Sequence, residues 1–364
     1  MTVAKRTIIP FGPQHPVLPE PVHLDLVIED ERVIEAIPQV GFIHRGLEKL
    51  VEKRDYQTFV NVTERICGIC SFGHSLGYSQ TIEILMDVEI PPRAEVLRVI
   101  WHELSRVHSH LLWLGLLADA FGFENLFMQC WRLRERVLDI FERTTGGRVI
   151  LSACNVGGVN QDIANEDLRG IVHVLDGMRD EYGELLKTFL YDRSVKSRLS
   201  GVGYLSTQQA RELCIVGPFA RASALSEDIR CFGYGGYGYL SNFEPVTAEE
   251  GDGYARCKVR ALEVVQSIDI IKELVDVIPD GELSVKVKGS PKAGSRAVSR
   301  LEQPRGECFY YAKGNGTRYL ERFRIRTPTA QSIAGMVHTL QGCDLADVPL
   351  NILTIDPCIS CTER

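Results

Sequence analysis

The chain has 364 residues, of which 45% are hydrophobic and 24% charged, and its formal net charge is -7. These values fit a globular protein with a large buried core and argue against a nucleic-acid partner. The 11 cysteines are scattered and odd in number, which favours a reducing cytosol over a disulfide scaffold. We expect no transmembrane segment, because the longest apolar run, Leu111 to Phe121, is too short to span a bilayer.

The spacing of apolar residues predicts a hairpin followed by two long helices. Alternating apolar residues over 22–37, with Glu29-Asp30-Glu31 as a polar turn, predict a β hairpin. Apolar residues recur at helical spacing from Pro92 to Phe121 and predict the first long helix. We expect the second helix to be capped by Asn125 and to end at Thr145.

The pattern changes from helical to strand-like near Pro279. Before this proline, helical spacing predicts three further helices, at about 165–192, 207–229 and 247–278. After it, the predicted elements are strands at Leu283–Lys288 and Gly306–Arg326, the second folded at Gly314-Asn315-Gly316, and a helix at Gln331–Leu340.

The predicted fold class is α+β, mainly α, with a large helical body and small β elements near the N-terminus and in the C-terminal third. We expect a single domain over residues 1–364. Its parts are an N-terminal hairpin at about 22–37, a helical body at about 92–278 and a β-containing C-terminal part at about 283–364.

Two cysteine pairs lie far apart in the chain, Cys67-Gly-Ile-Cys70 near the start and Cys358-Ile-Ser-Cys361 close to the end. Thiolates select soft or borderline transition metals, so each pair can hold a metal ion from one turn. From the spacing alone, a structural tetrathiolate zinc site explains all four cysteines, and two separate redox pairs explain them as well.

The residues around the cysteines resemble a known family. The segments Arg65–His74 and Asp356–Cys361 resemble the two metal-binding signatures of the large subunit of nickel–iron hydrogenases. His44-Arg45-Gly46-Leu47-Glu48 resembles the first motif of that family, and Gln303-Pro304-Arg305-Gly306 and Thr327-Pro328-Thr329 resemble its segments around the active-site iron. The resemblance therefore covers nearly the whole chain.

Other segments resemble a narrower group, namely Phe11–Pro16, Gly146-Gly147-Arg148, Gly157–Val159 and Gly217–Ser223. They are similar to the group 4 energy-converting hydrogenases and to the quinone-site core subunit of respiratory complex I. The complex I relatives lack the four cysteines, so we favour a hydrogenase, similar in length to the Ech-type and carbon-monoxide-linked ones. A quinone-reducing subunit of complex I type and a structural zinc protein are the alternatives.

The resemblance implies a nickel–iron centre with carbon monoxide and cyanide ligands on the iron. Cys67 and Cys358 would be terminal nickel ligands, and Cys70 and Cys361 would bridge nickel to iron. The other seven cysteines are isolated, so we expect no iron–sulfur cluster in this chain.

The resemblance also implies residues that orient such a centre. His74 would hydrogen-bond a bridging sulfur, and Arg305 would lie over the open metal position near Asp356. Pro304 and Thr329 would line the pocket of the diatomic ligands, with the threonine hydroxyl able to donate to cyanide.

Two glutamates complete the expected site. Glu20 would accept the proton that leaves Cys358, so that Glu20, Arg305, Asp356 and Cys358 form the expected catalytic set. Glu48 resembles a ligand of a further magnesium or iron site that a C-terminal histidine completes in many relatives. Here Arg364 takes that place, and an ion pair between Glu48 and Arg364 is the alternative.

The activity that the resemblance implies is the reversible reduction of protons to dihydrogen. Electrons would come from ferredoxin, or a ferredoxin-like subunit, through an iron–sulfur small subunit, and the reaction would be coupled to ion translocation by membrane subunits. We therefore expect a peripheral part of a membrane complex on the cytoplasmic side of the cell membrane.

Overall fold

The computed structural model describes residues 6–364. Its strands are β1 (Thr7–Phe11), β2 (His23–Glu29), β3 (Arg32–Gln39), β4 (Cys154–Asn155), β5 (Gly158–Val159), β6 (Arg296–Gln303), β7 (Gly306–Gly314) and β8 (Leu320–Arg326). Its α-helices are α1 (Leu47–Leu50), α2 (Val60–Thr63), α3 (Ser71–Met86), α4 (Pro92–Ala120), α5 (Glu124–Thr145), α6 (Asn165–Tyr191), α7 (Arg193–Leu199), α8 (Thr207–Glu212), α9 (Gly217–Arg221), α10 (Gly253–Val277), α11 (Pro328–Leu340), α12 (Val348–Ile355) and α13 (Ile359–Glu363). Short 3₁₀ helices lie at Val51–Lys53, Glu64–Ile66, Ile229–Phe232, Gly235–Tyr239 and Leu345–Asp347.

Helix α4 is the centre of the helical body. It packs against α5, α10 and α3, and α6 packs against α5 and α10. The apolar residues that predicted α4 are fully buried along its length, including Leu97, Leu104 and Leu111. Polar residues of α4 are buried too, because other helices and the C-terminal strands cover the faces that water would otherwise solvate.

The strands form two separate three-stranded antiparallel sheets, in the orders β1-β2-β3 and β6-β7-β8, and a two-stranded sheet of β4 and β5. Asp30 and Glu31 form the β2–β3 turn with φ of 50° and 64°, the positive values that a tight two-residue hairpin turn requires. Gln303 pairs with Gly306, so Pro304 and Arg305 alone form the turn between β6 and β7. Helix α3 packs against both of these strands.

The predicted fold class is confirmed: a mainly helical protein with small antiparallel sheets near its N-terminus and in its C-terminal third. The hairpin, the long helices and the strands within 306–326 lie where the apolar pattern placed them. The single-domain assignment over 1–364 stays a prediction, and its first five residues lie outside the described part.

Some predicted elements are wrong. A continuous helix over 207–229 does not form, because Cys214 and Gly217 have φ of 53° and 69°, and only the short α8 and α9 remain. Segment Leu283–Lys288 does not form a strand and contributes only an isolated bridge between Ser284 and Gly158. Asn125 lies inside α5, whose N-cap is Phe123.

Several elements had no sequence signal strong enough to predict them: β1, α3, β6, α12 and α13. Helix α3 is the most important of these, because it follows the first cysteine pair. It is buried on nearly every side and contains glycine, serine and histidine, so it has neither an amphipathic pattern nor high helix propensity.

Gly217 holds α9 against the turn that carries Arg305. A Cβ atom at position 217 would lie 2.3 Å from the Arg305 carbonyl oxygen and 2.4 Å from the Gly306 Cα, and φ is +69°. We expect Gly217→Ala to lower the free energy of unfolding by about 3 kcal/mol, from backbone strain and overpacking together, as measured by urea denaturation.

Gly201→Ala is the matched control, because Gly201 also has a positive φ of +77° but has open space around its Cα. Backbone strain alone should cost it about 1 kcal/mol. Equal losses of unfolding free energy in the two variants would show that close packing against the Arg305 turn is not the reason for a glycine at position 217.

Candidate metal centre

The four sulfur atoms of the two cysteine pairs meet in the interior. The Sγ atoms of Cys67, Cys70, Cys358 and Cys361 all lie within 4.8 Å of one another, and each residue is at most 2% exposed. The Cys67–Cys358 and Cys70–Cys361 Sγ–Sγ distances are 3.4 and 3.3 Å. These distances are far longer than the roughly 2 Å of a disulfide bond, so all four cysteines are free.

Local backbone structure points each sulfur inward. Cys67 follows the 3₁₀ helix Glu64–Ile66, and Cys70 is the N-cap residue of α3. The amide of Ile69 donates to Cys67 Sγ over 3.2 Å, which favours the thiolate form of that sulfur. Cys358 is the N-cap residue of α13 and lies two residues after Asp356, which ends α12 in the left-handed conformation.

Contacts between the two ends of the chain hold the sulfurs together. The Arg45 guanidinium donates to the carbonyl oxygens of Ile66 (2.8 Å) and Ser360 (3.1 Å) and so links the two cysteine segments directly. The Glu363 carboxylate accepts from the amides of Gly41 (2.5 Å) and Ile43 (2.6 Å). The last turn of the protein is therefore fixed to the segment that precedes the first cysteine pair.

The pKa values of the four thiols are shifted in different directions. The hydrogen bond with Cys358, helped by Cys361, Cys70 and the Arg305 charge, holds the pKa of Cys67 well below its usual value. Burial raises the pKa of Cys361 well above its usual value. The cluster therefore stabilises a thiolate at Cys67 even without a bound cation, which is the form that binds metal.

The Arg305–Asp356 pair lies beside the sulfurs, as the sequence predicts. Arg305 Nη2 is 2.5 Å from Asp356 Oδ1, and Arg305 Nε donates to the Asp356 carbonyl oxygen over 2.9 Å. Arg305 is only 8% exposed. Burial lowers its pKa, but the charges of Asp356 and of the cysteines outweigh burial, so the net shift raises the pKa of Arg305 above its usual value. Asp356 Oδ2 has no hydrogen-bond partner among the described residues and is 4.0 Å from Arg260 Nε.

His74 contacts a sulfur of the second cysteine pair. Its Nε2 lies 3.3 Å from Cys361 Sγ, and its Nδ1 lies 3.0 Å from the Tyr310 hydroxyl. Burial lowers the pKa of His74 to about 4, so the imidazole is neutral at pH 7 and carries one N–H.

Glu20 lies against the second cysteine pair. Its Oε2 accepts from the backbone amides of Ile359 and Ser360, the latter over 2.9 Å. Its Oε1 is 3.9 Å from Cys358 Sγ, which is long for a direct contact. The Ser360 hydroxyl fills this gap, 2.6 Å from Glu20 Oε1 and 3.3 Å from Cys358 Sγ.

The two residues predicted to line the diatomic pocket differ in what they contact. The Thr329 hydroxyl accepts from the Cys358 amide over 3.0 Å, which leaves its own proton available for another acceptor. Pro304 is buried in the two-residue turn with Arg305. The roles of Thr329 and Pro304 toward diatomic ligands stay predictions.

Glu48 forms a separate cluster with cations. Arg364 Nε lies 2.9 Å from Glu48 Oε1, the Ile325 amide donates to the same oxygen over 2.9 Å, and Arg324 pairs with Oε2. Burial alone raises the pKa of Glu48, but these donors lower it below its usual value. The structure thus contains the Glu48–Arg364 ion pair, and an extra magnesium or iron site stays an untested prediction.

Four residues of the site were missed in the sequence: Arg45, Tyr310, Ser360 and Glu363. Ser360 lies inside the second cysteine pair, and a hydroxyl between two metal ligands was a signal that could have been used. Arg45 belongs to a motif that was recognised, but its bridge to the Ser360 carbonyl depends on the folded chain. Nothing local in the sequence marks Tyr310.

These residues fit a nickel–iron centre. The donors are four buried sulfurs from two segments, which suits soft transition metals. The guanidinium of Arg305 and the imidazole of His74 add polar groups near the sulfurs, where a metal site needs orienting groups. Four thiolates alone also suit a structural zinc ion, so the four sulfurs by themselves do not distinguish a nickel–iron centre from a zinc site.

Family models match the chain in two parts. Residues 45–119 match the nickel-dependent hydrogenase family. Residues 121–293 and 285–364 match the 49 kDa subunit of respiratory-chain NADH dehydrogenase. Among described residues, no helix combines the length and the apolar character that crossing a membrane requires.

Individual proteins are similar over the whole length. The membrane-bound hydrogenase subunit alpha of Pyrococcus furiosus is 35% identical, over 98% of this chain and 87% of that protein. The carbon monoxide-induced hydrogenase of Rhodospirillum rubrum is 36% identical, over 98% of this chain and 99% of that protein. A chain of the membrane-bound sulfane sulfur reductase, an archaeal respiratory membrane complex, superposes with a TM-score of 0.93 at 29% identity, over 99% of this chain and 98% of that one.

The chain belongs to the family of group 4 nickel–iron hydrogenase large subunits, which is related to the 49 kDa subunit of respiratory complex I. The protein is thus an oxidoreductase. The predicted family is therefore confirmed, and the four-cysteine cluster agrees with a nickel-dependent member.

Removing one partner of a buried ion pair leaves the other charge uncompensated. We expect Arg305→Ala to lower the free energy of unfolding by about 3–5 kcal/mol, because Asp356 stays buried without its guanidinium. Urea denaturation of wild-type and variant protein of equal metal content measures the difference.

Arg300→Ala is the control, since Arg300 lies on β6, the strand that leads into the Arg305 turn, and its side chain, which pairs with Glu307, is 49% exposed. We expect a loss of about 0–1 kcal/mol there. A loss at Arg305 as small as that at Arg300 would contradict the view that the Arg305–Asp356 charges compensate each other.

Proposed function

We propose that this chain is the catalytic large subunit of an energy-converting hydrogenase, which reversibly reduces protons to dihydrogen. The observation that carries the proposal is the meeting of Cys67, Cys70, Cys358 and Cys361 within 4.8 Å in the interior. The family match supports it, because the matched model of residues 45–119 is that of nickel-dependent hydrogenases.

In this proposal, Cys67 and Cys358 would hold nickel, and Cys70 and Cys361 would hold nickel together with an iron that carries carbon monoxide and cyanide. When bound, the centre supplies Lewis-acid-assisted heterolytic cleavage and formation of dihydrogen. Arg305 covers the sulfurs with a fixed positive charge, and Asp356 holds the guanidinium in place through two hydrogen bonds.

The proton leaves through side chains of this chain. Cys358 Sγ is 3.3 Å from the Ser360 hydroxyl, which is 2.6 Å from Glu20 Oε1. A hydroxyl both donates and accepts, so Ser360 can pass a proton from the sulfur to the carboxylate. Two backbone amides hold the other Glu20 oxygen, which aims Oε1 at the serine.

We propose that electrons reach the centre from ferredoxin, or a ferredoxin-like subunit, through an iron–sulfur small subunit. We further propose that the chain docks on membrane ion-translocating subunits at the cytoplasmic side of the membrane. The support is similarity to a membrane-bound hydrogenase subunit and to a chain of a respiratory membrane complex. The proposed coupling to ion translocation is inferred from family membership alone.

A second candidate is a quinone-reducing core subunit of complex I type. The match of residues 121–293 and 285–364 to the 49 kDa subunit favours it. The four converging cysteines weigh against it, since quinone reduction needs no such ligand set. A structural zinc site is the third possibility, because four thiolates alone satisfy zinc.

Metal analysis of protein purified from its native host separates these candidates. We expect nickel and iron in equal amounts, with infrared bands of metal-bound carbon monoxide and cyanide. One zinc per chain and no such bands would establish the structural site instead. Protein without metal that reduces quinone would establish the complex I type function.

Glu20→Gln tests the proton route. The amide still accepts from the backbone amides but does not take up a proton, so we expect deuterium–proton exchange and dihydrogen evolution to fall by at least about 100-fold. Metal content and the infrared bands should stay as in the wild type.

Ser360→Ala removes the hydroxyl alone and should slow exchange less, because Glu20 Oε1 still lies 3.9 Å from Cys358 Sγ. Glu35→Gln, at an exposed position of β3, is the control and should exchange at the wild-type rate. Wild-type exchange in Glu20→Gln would remove Glu20 from the route.

A further inference from the structure

Tyr310 is a buried tyrosine that contacts His74 from the side opposite the cysteines. Its hydroxyl lies 3.0 Å from His74 Nδ1, 2.9 Å from Gln303 Nε2 and 3.3 Å from the Gly73 carbonyl oxygen. Tyr310 is fully buried on β7. Water therefore does not supply the hydrogen bonds of this hydroxyl, and its neighbours must.

The hydrogen-bond capacities of these groups restrict how they pair. An amide nitrogen only donates, so Gln303 fills one lone pair of the Tyr310 oxygen. The single hydroxyl proton then goes either to His74 Nδ1 or to the Gly73 carbonyl oxygen. The Tyr310 oxygen is 0.3 Å closer to His74 Nδ1 than to the Gly73 carbonyl oxygen, and that carbonyl also accepts a backbone hydrogen bond within α3. Both observations favour donation to His74.

The two choices have opposite consequences at the sulfur. If Tyr310 donates to Nδ1, the imidazole proton is on Nε2 and points at Cys361 Sγ, 3.3 Å away. If Tyr310 donates to Gly73, the imidazole proton is on Nδ1, and the Nε2 lone pair faces the sulfur. A metal-bound thiolate has lone pairs of its own, so only the first arrangement is attractive.

We propose that Tyr310 is a positioning residue that fixes the tautomer of His74 so that Nε2–H donates to Cys361 Sγ. The inference rests on the proposed function, in which Cys361 is a metal-bound thiolate. Its effect is to withdraw electron density from that sulfur and, through it, from the iron.

The neighbouring elements are shaped to hold this ring. A Cβ atom at Gly77 would lie 2.2 Å from Tyr310 Cε2, so the ring occupies the space that a larger residue on α3 would take. Glycine inside a helix costs about 0.5–1 kcal/mol, and at Gly77 that cost is offset by room for the tyrosine. The ring also packs on Phe323 with centroids 6.3 Å apart. The hydroxyl is therefore held in place from both sides.

Tyr310→Phe tests the inference, with the carbon monoxide infrared band of the purified protein as the readout. Without the hydroxyl, His74 loses its fixed tautomer and the sulfur loses its donor. Electron density on the iron rises, and the band should move to lower wavenumber at unchanged nickel and iron content. Tyr311→Phe is the control, because Tyr311 is half-buried on the opposite face of the same strand, and its band should not move.

Gln303→Glu supplies a second variant with nearly the same shape. A carboxylate accepts the Tyr310 proton, so the tyrosine oxygen then accepts from Nδ1–H, and the His74 tautomer reverses. We expect the band to move in the same direction as in Tyr310→Phe. An unmoved band in either variant would overturn the tautomer assignment.

The tautomer itself is read from the ¹⁵N resonances of His74, assigned with His74→Gln. We expect the Nε2–H form in the wild type and its loss in Tyr310→Phe. The Nδ1–H form in the wild type would overturn the inference. This readout needs no diatomic ligands, so protein without infrared bands would contradict the proposed function and still test Tyr310.

Discussion

The closure of the polypeptide on itself is the constraint from which the site follows. The last seven residues, 358–364, are packed against segment 41–74, where polar contacts of Arg45 and Glu363 fix them. Glu20, from the loop after β1, holds the same residues through the Ser360 amide. No short-range interaction brings the two cysteine pairs together, since 287 residues separate Cys70 from Cys358 in the printed sequence. The sulfurs therefore meet only when the whole helical body between them has folded, which couples the metal site to global stability.

The helical body also positions the turn that carries Arg305. The Arg106 guanidinium donates to the carbonyl oxygens of Glu302 (2.5 Å) and Gln303 (3.2 Å), and His102 Nε2 lies 2.9 Å from the first of these. Arg221 pairs with the Glu302 carboxylate over 2.8 Å. Burial of charged side chains costs desolvation free energy unless each charge has partners. Here the partners of these arginines are atoms at the end of β6, so the buried charges fix the position of that strand end. The two-residue turn then has little freedom to move Arg305 away from the sulfurs.

Sequence patterns were sufficient for the elements whose chemistry is local. The apolar stripe of α4 and the charged turn of the β2–β3 hairpin each determine a structure within a few residues. Helix α3 was missed because β6, β7, α2, α4 and β4 bury nearly every side of it, so tertiary contacts override weak propensity. Tyr310 was missed for a similar reason, because its partner His74 lies 236 residues away in the sequence and only folding brings the two together. Ser360 lies inside the second cysteine pair, and its hydroxyl was a local signal that could have been used.

Under the proposed function, Ser360 and Tyr310, two of the four residues missed in the sequence, act at chemically different sulfurs of the cluster. Beside Cys358, Ser360 and Glu20 offer groups that accept a proton. Beside Cys361, a neutral His74 backed by Tyr310 offers a donor, and its burial opposes a second proton. A proton released in the cluster therefore has an acceptor at the terminal sulfur and none at the bridging one. The direction of proton transfer then follows from which groups donate and which accept hydrogen bonds, and it requires no conformational change.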